Sequence, residues 1–144
     1  MQPLLEIPAL KPAPADIAHS RDAFQEFLNI RSSSLLFHMS TLSEIQNNLH
    51  FLNTGPAQVP GLIVMKLDAN GSYYGPFRHI VVVFNATNGM VHFQNDALKG
   101  LGLFLHPVQM GSSDPTVRES SFDTNTGTAS VPALTTTVFV SWRE

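Results

Sequence analysis

Apolar residues recur along this chain with three spacings, and each spacing predicts a different element. Leu49 and Phe51, and again Val91 and Phe93, alternate with polar neighbours, as a strand with one face in water requires. Leu62–Leu67 and Ile80–Phe84 are apolar runs of strand length. The β-branched Val81-Val82-Val83 favours strand over helix there. Ile17, Phe24, Phe27, Leu28 and Ile30 recur at roughly 3.6 residues, which predicts one clear helix over Asp16–Arg31. Pro14 suits its first turn, and Asp16 suits an N-terminal position by its charge and its capping oxygen. Ser32-Ser33-Ser34 stops it. A second short helical turn is expected at Thr41–Asn47, with Ser43 as its cap.

The remaining pattern is one of strands and turns. Asn70-Gly71 and Asn88-Gly89 are turn dipeptides. Leu101–Leu105 reads as a strand, with Gly102 as a bulge or close-packing point. Leu105–Val140 reads as a short strand, a long polar loop, then two strands about a tight turn through Pro132. Pro3, Pro8, Pro12 and Pro14 keep residues 1–15 from forming a continuous helix. One helix followed by seven or eight short strands predicts an all-β fold, an antiparallel two-sheet β-sandwich from about residue 35, preceded by one α-helix. Ile80–Phe84 should be a central strand.

Composition narrows the function classes. The chain has 144 residues, 43% of them hydrophobic and only 13% charged, so Ser, Thr and Asn must supply much of the solvated face. The net charge is −3 and the eight Lys and Arg form no basic run, which argues against nucleic-acid binding. Without cysteine there is no disulfide, thiolate metal site or Cys nucleophile. No apolar run reaches the length of about 20 residues that a membrane helix needs, so no membrane partner is expected. Met1–Leu5 has no signal-peptide pattern; an export signal would lie upstream, and a bacterial parent is expected to be extracellular or periplasmic.

No constellation of catalytic residues emerges. The six histidines lack the spacing of a helical zinc pair, although strand-borne His50, His79 and His92 could converge. Neither metal nor cofactor is expected. The eleven acids fall mostly in loops or on the exposed helix face, with Asp68 and Asp96 at strand borders, where Asp commonly bonds the local backbone. Ser112, Ser113 and Asp114 near His106 are better explained as loop polarity than as a catalytic set. Tyr73, Tyr74 and Phe77 form a candidate sugar-contact loop; the competing reading is that these rings cover the open end of the sandwich. Trp142 continues the alternation of Val138 and Val140, so it is expected in a core or interface. Asn70-Gly71-Ser72 and Asn85-Ala86-Thr87 match the N-glycosylation pattern weakly.

Several segments carry a resemblance. They are Leu10–Ile17, Ile30-Arg31-Ser32-Ser33-Ser34-Leu35-Leu36-Phe37, Phe51–Gln58, Pro60–Met65, Val82–Thr87, Leu105–Gln109, Ser113-Asp114, and Val131-Pro132-Ala133 running into Thr135–Val140. In this order they resemble the C-terminal end of the pullulanase-type α-1,6-glucosidases, debranching enzymes of the α-amylase-like glycoside hydrolase group. Ser32 stands where the family has Lys, and Leu35 where it has Pro.

The resemblance implies that residues 1–34 are a Pro-rich lead-in and the final helix of an upstream catalytic barrel, and residues 35–144 a C-terminal β-sandwich. The implied parent hydrolyses α-1,6-glucosidic linkages in pullulan, glycogen or starch dextrins. Its catalytic carboxylates lie upstream, so no catalytic residue is carried over and the chain is not expected to be an enzyme on its own. The expected role is a non-catalytic domain that stabilises the barrel, with Ile17, Phe24, Phe27 and Leu28 facing it. The alternative is a carbohydrate-binding module contacting α-glucan. Without the barrel, the stripe should be covered by a homodimer of the fragment, by residues 1–15, or by both.

Overall fold

The computed structural model describes residues 7–71 and 74–143. A 3₁₀ turn at Pro8–Leu10 leads into helix α1 (Pro14–Ser32). Its N-terminus is set by Asp16, whose Oδ2 accepts from the N–H of Ala13 at 2.9 Å. After a 3₁₀ turn at Leu35–His38 comes the short helix α2 (Leu42–Asn48). Its cap is Thr41 rather than Ser43. Thr41 Oγ1 accepts from the N–H of Glu44 and the Glu44 carboxylate accepts from the N–H of Thr41, a reciprocal pair that Ser43, already inside the helix, cannot make.

The strands follow as β1 (Leu49–Phe51), β2 (Leu62–Asp68), β3 (Phe77–Asn85), β4 (Val91–Gln94), β5 (Phe104–Leu105), β6 (Ser121–Asp123), β7 (Thr128–Val131) and β8 (Thr135–Trp142). They form two antiparallel sheets, one of five strands ordered β1-β2-β3-β8-β5 and one of three ordered β4-β7-β6. The expected two-sheet sandwich with one principal helix is what the chain adopts.

β3 is central, and its unbroken apolar run has a direct cause: both of its faces are covered. Val81 and Val83 point between the sheets, into a core with Leu62, Val64, Phe93, Leu98, Leu103, Ala129, Val131 and Phe139. Ile80 and Val82 point to the outer face, against Ile30, Leu36, Leu67, Tyr74, Phe77, Val138 and Val140. The end of α1 and the following 3₁₀ turn thus form a third layer. A fully buried Val, Leu, Ile or Phe contributes about 1.5–3 kcal/mol, so both faces matter to stability.

Three expectations are corrected. The strand expected at Leu101–Leu105 shrinks to Phe104–Leu105, because Gly102 sits at φ +58, outside extended backbone, with open space around it rather than a close contact. The long polar loop after Leu105 contains two one-turn helices, α3 (Pro107–Met110) and α4 (Pro115–Arg118), and strand β6. Trp142 continues the face of Val138 and Val140, and of the two placements expected for it, core or interface, the core is excluded: it is 56% exposed, resting on Phe77 and Phe104. No described helix is long and apolar enough to cross a membrane.

Candidate functional site

Helix α1 is anchored at one end and open along much of its length. At the anchored end Ile30 is buried with Leu36. Ser33 Oγ donates to the carbonyl of Ile30 at 2.6 Å and lies 3.1 Å from His106 Nε2. His106 Nδ1 accepts from the N–H of Val108 at 3.2 Å, so the ring proton sits on Nε2 and is donated to Ser33. This relay ties the helix end to the segment after β5. His106 is buried and packs edge-on against Phe77, and desolvation pushes its pKa down to about 4, keeping the imidazole neutral.

The residues expected to face an upstream domain lie on the open stretch. Ile17 is 57% exposed, Phe24 65%, Phe27 41% and Leu28 50%. Phe27 also borders a groove of about 220 Å³ between α1 and the outer face of the large sheet, where Phe37, Met65 and Phe84 contribute apolar walls. Ile63 and Phe84, paired across β2 and β3, extend the apolar surface beyond the helix. Sequence periodicity marked the helical stripe but could not place Phe84 beside it, since that requires the sheet and helix to be docked.

The histidines converge only in part. Asp68 Oδ1 lies 2.6 Å from His79 Nδ1, Lys66 Nζ reaches both Asp68 oxygens at 2.7 and 2.6 Å, and His50 Nε2 is 3.8 Å away. His92 bonds instead to Ser130 on the small sheet. Burial is the strongest influence on Asp68 and would raise its pKa, but hydrogen bonds and charge from His79 and Lys66 together outweigh it and hold the carboxyl below its ordinary value. The Asp68 carboxylate therefore engages side chains of β2 and β3, Lys66 and His79, rather than its local backbone as expected. Among the described residues no three His, Asp or Glu side chains are placed to hold a metal.

The expected sugar-contact loop is otherwise arranged. Tyr74 is 6% and Phe77 3% exposed, so neither offers a face to a ligand; Tyr73 lies outside the described residues. Tyr74 packs in the outer-face core, with its hydroxyl near Asn48 and Glu44 and its carbonyl accepting from Ser34 Oγ and the N–H of Leu35. Both rings pack on the outer face of the large sheet with Ile30 and Leu36. Ser112 Oγ accepts from the N–H of Asp114, so the Ser-Asp loop is engaged locally. Asn85, in a glycosylation-like triplet, is buried and donates to the carbonyls of Gly89, Val131 and Pro132, leaving its amide no route to a modifying enzyme.

Comparison with known proteins agrees with this geometry. The family model for the C-terminal region of pullulanase-type α-1,6-glucosidases matches residues 1–142. The chain is 40% identical to pullulanase 1, chloroplastic, of Arabidopsis thaliana, over 99% of this chain and 16% of that protein. It superposes on PulA from Klebsiella oxytoca with a TM-score of 0.77 and 26% identity, over 92% of this chain and 13% of that one. With apo pullulanase from Klebsiella pneumoniae the TM-score is 0.80, again at 26% identity, over 92% of this chain and 15% of that one. The chain thus spans well under a fifth of the length of the relatives it matches.

Proposed function

The chain belongs to the C-terminal family of the pullulanase-type α-1,6-glucosidases, and from that premise we propose that it is the non-catalytic sandwich that stabilises the catalytic part of a debranching enzyme. In this reading the parent hydrolyses α-1,6-glucosidic linkages in pullulan, glycogen or starch dextrins, with its catalytic barrel upstream. The observation that carries it is the exposure of Ile17, Phe24, Phe27 and Leu28 on a helix whose far end is anchored through Ile30 and the Ser33–His106 relay. An apolar face so arranged fits a neighbouring domain, and the groove beside Phe27 and Phe84 would receive one of its side chains.

The scattered acids fit this role. Glycoside hydrolysis by two carboxylates needs them about 5–5.5 Å apart in retaining enzymes, flanking the bond to be broken. Here Asp68 is neutralised by Lys66, while Glu44 and Asp123 are held by hydroxyl and backbone donors at caps and turns.

The test is complementation. The upstream part of a parent enzyme is produced alone and together with this chain, and its melting temperature and pullulan hydrolysis are compared. This chain should raise both, and a Phe24→Asp/Phe27→Asp double variant should raise neither while remaining folded. Equal stabilisation by the double variant would refute the role given to the stripe. Release of reducing sugar from pullulan by the purified chain alone would refute the non-catalytic reading.

A further inference from the structure

Helix α1 is flanked by two hollows of different character, both bordered by Phe27 and Thr136. One is the apolar groove beside Phe84. The other is a cleft of about 230 Å³, where α1 faces the loop between α3 and α4 and the turn from β7 to β8. Its walls include Glu26 of α1, Asp114 at the cap of α4, and Leu134 in the turn. Glu26 is half-buried, because it stands one turn before the buried Ile30 on the same side of the helix. Among the described residues it has no ion-pair partner, and the cleft is lined by no Lys or Arg, His19 being its remaining titratable group. Asp114 is also half-buried; its Oδ1 accepts from the N–H of Thr116 at 2.8 Å, which leaves Oδ2 for a partner. Leu134 is the one non-glycine residue at positive φ among the described residues, +51, and it is 73% exposed. A branched side chain is costly in that region and gains nothing here by burial, so the sandwich itself gives no reason for Leu at this position.

We propose that the two hollows are filled together by the upstream part of the same polypeptide: an apolar side chain enters the groove beside Phe84, and a lysine or arginine enters the cleft lined by Glu26 and Asp114, its aliphatic stem against Leu134 and Phe27. The identity of the occupant rests on the proposed function: the chain matches the C-terminal region of its family and spans 13–16% of its relatives, so most of a parent lies ahead of α1. The chemistry of the occupant follows from the walls. Two half-buried carboxylates in a cleft without Lys or Arg favour a basic group over an acidic or neutral one. A Lys or Arg stem covers apolar surface while its head meets charge, which engages Leu134 and the carboxylates at once. In the groove the one charged wall is Arg31, which turns a basic side chain away and leaves that hollow to an apolar one. A divalent metal is the weaker occupant of the cleft, because no three His, Asp or Glu among the described residues are placed to hold one.

Carboxyl footprinting compares the 144-residue chain with the full-length parent that contains it. In the chain Glu26, Asp114 and Asp123, the last exposed on the small sheet, should all be labelled. In the parent the labelling of Glu26 and Asp114 should be lost while that of Asp123 persists. Glu26→Gln with Asp114→Asn removes both charges and keeps both shapes, including the cap at Thr116. This double variant should leave the thermal midpoint of the isolated chain within about 2 °C and lower that of the parent. Leu134→Asn should do the same, since Asn accepts positive φ readily. Equal labelling of both acids in chain and parent, or a parent midpoint unchanged in both variants, overturns the proposal. So does a carboxylate variant that alters self-association of the isolated chain, which would give the cleft to a second copy. If Phe24→Asp/Phe27→Asp lowers the parent's midpoint while these variants do not, the cleft loses its role and the proposed function stands; if none of them lowers it, both fall.

Discussion

Two buried polar residues show how single side chains hold this fold. His106 is kept neutral by burial, its pKa depressed to about 4 from an ordinary 6.5. Above pH 6.5 the folded and unfolded chains both hold it neutral and its contribution is constant. Between pH 6.5 and about 4 the unfolded chain binds a proton that the folded chain refuses, so stability falls as pH falls; below about 4 both bind it. The full effect is about 3 kcal/mol. Urea denaturation across this window should show the slope, and His106→Gln should flatten it. Asp68 acts in a lower window: its depressed pKa gives stability that is present above its ordinary 3.8 and lost as pH falls below it. Asn85 is the second case. Its amide donates to carbonyls of Gly89, Val131 and Pro132, and its oxygen accepts from the N–H and hydroxyl of Thr87, so it joins the end of β3 to the end of β7. Asn85→Ala should cost about 2–3 kcal/mol, read as a lower urea midpoint with an unchanged slope. Unchanged stability would mean that water replaces the amide at this junction.

At the scale of elements, α1 divides into a part that stabilises this chain and a part that does not. Ile30 is buried in the outer-face core, whereas Phe24 is 65% exposed. Ile30→Ala should therefore destabilise the chain by about 2–5 kcal/mol, and Phe24→Ala should change it by less than about 0.5 kcal/mol. Comparable losses from both, measured by denaturant melts, would contradict this division. The same helix shows what was legible beforehand. Its spacing and stop signals are local, and so are the runs of β2, β3 and β8; those elements appear where the pattern puts them, within a few residues. Their pairing into two sheets also followed from number and turn chemistry. The one-turn helices α3 and α4 were missed although each carries a local sign: a capping side chain, His106 or Asp114, followed by Pro at the first helical position. Four residues are too few for periodicity to register. β6 was missed because its three residues are stabilised by pairing with β7 and by the turn at Gly127, whose φ of +67 and close approach to the backbone of Asn95 and Lys99 admit no side chain. The expected sugar loop misled for a related reason. Aromatic residues beside a turn read alike whether they point outward or inward; that Tyr74 is buried shows only once Ser34 and Leu35, which donate to its carbonyl, are docked beside it.

At the scale of the molecule, the exposed stripe sets how the isolated chain behaves in solution. Residues 7–15 leave it uncovered: Ile7 and Leu10 are themselves exposed and Phe24 remains the most open residue of the four; residues 1–6 lie outside those described. Covering one Phe or Leu is worth about 1.5–3 kcal/mol, so a partner face gains by meeting it. A second copy is the simplest source, because a two-fold contact uses the same patch twice and brings Phe24 and Phe27 of one molecule against those of the other. The stripe is narrow, however. Stable dimers bury about 800 Å² per partner, and loss of translational and rotational freedom offsets several kcal/mol of the gain, so the association should be weak and concentration-dependent. Sedimentation of the isolated chain should show a shift from monomer toward dimer with rising concentration. Because the driving force is apolar, the shift should persist at high salt and vanish in Phe24→Asp/Phe27→Asp. Under the proposed function, the same dimer should disappear when the upstream part of the proposed parent is supplied, since both would compete for one face. A chain that stays monomeric at every concentration would refute the dimer, and a dimer that survives both the double variant and the upstream part would place the contact elsewhere on the sandwich.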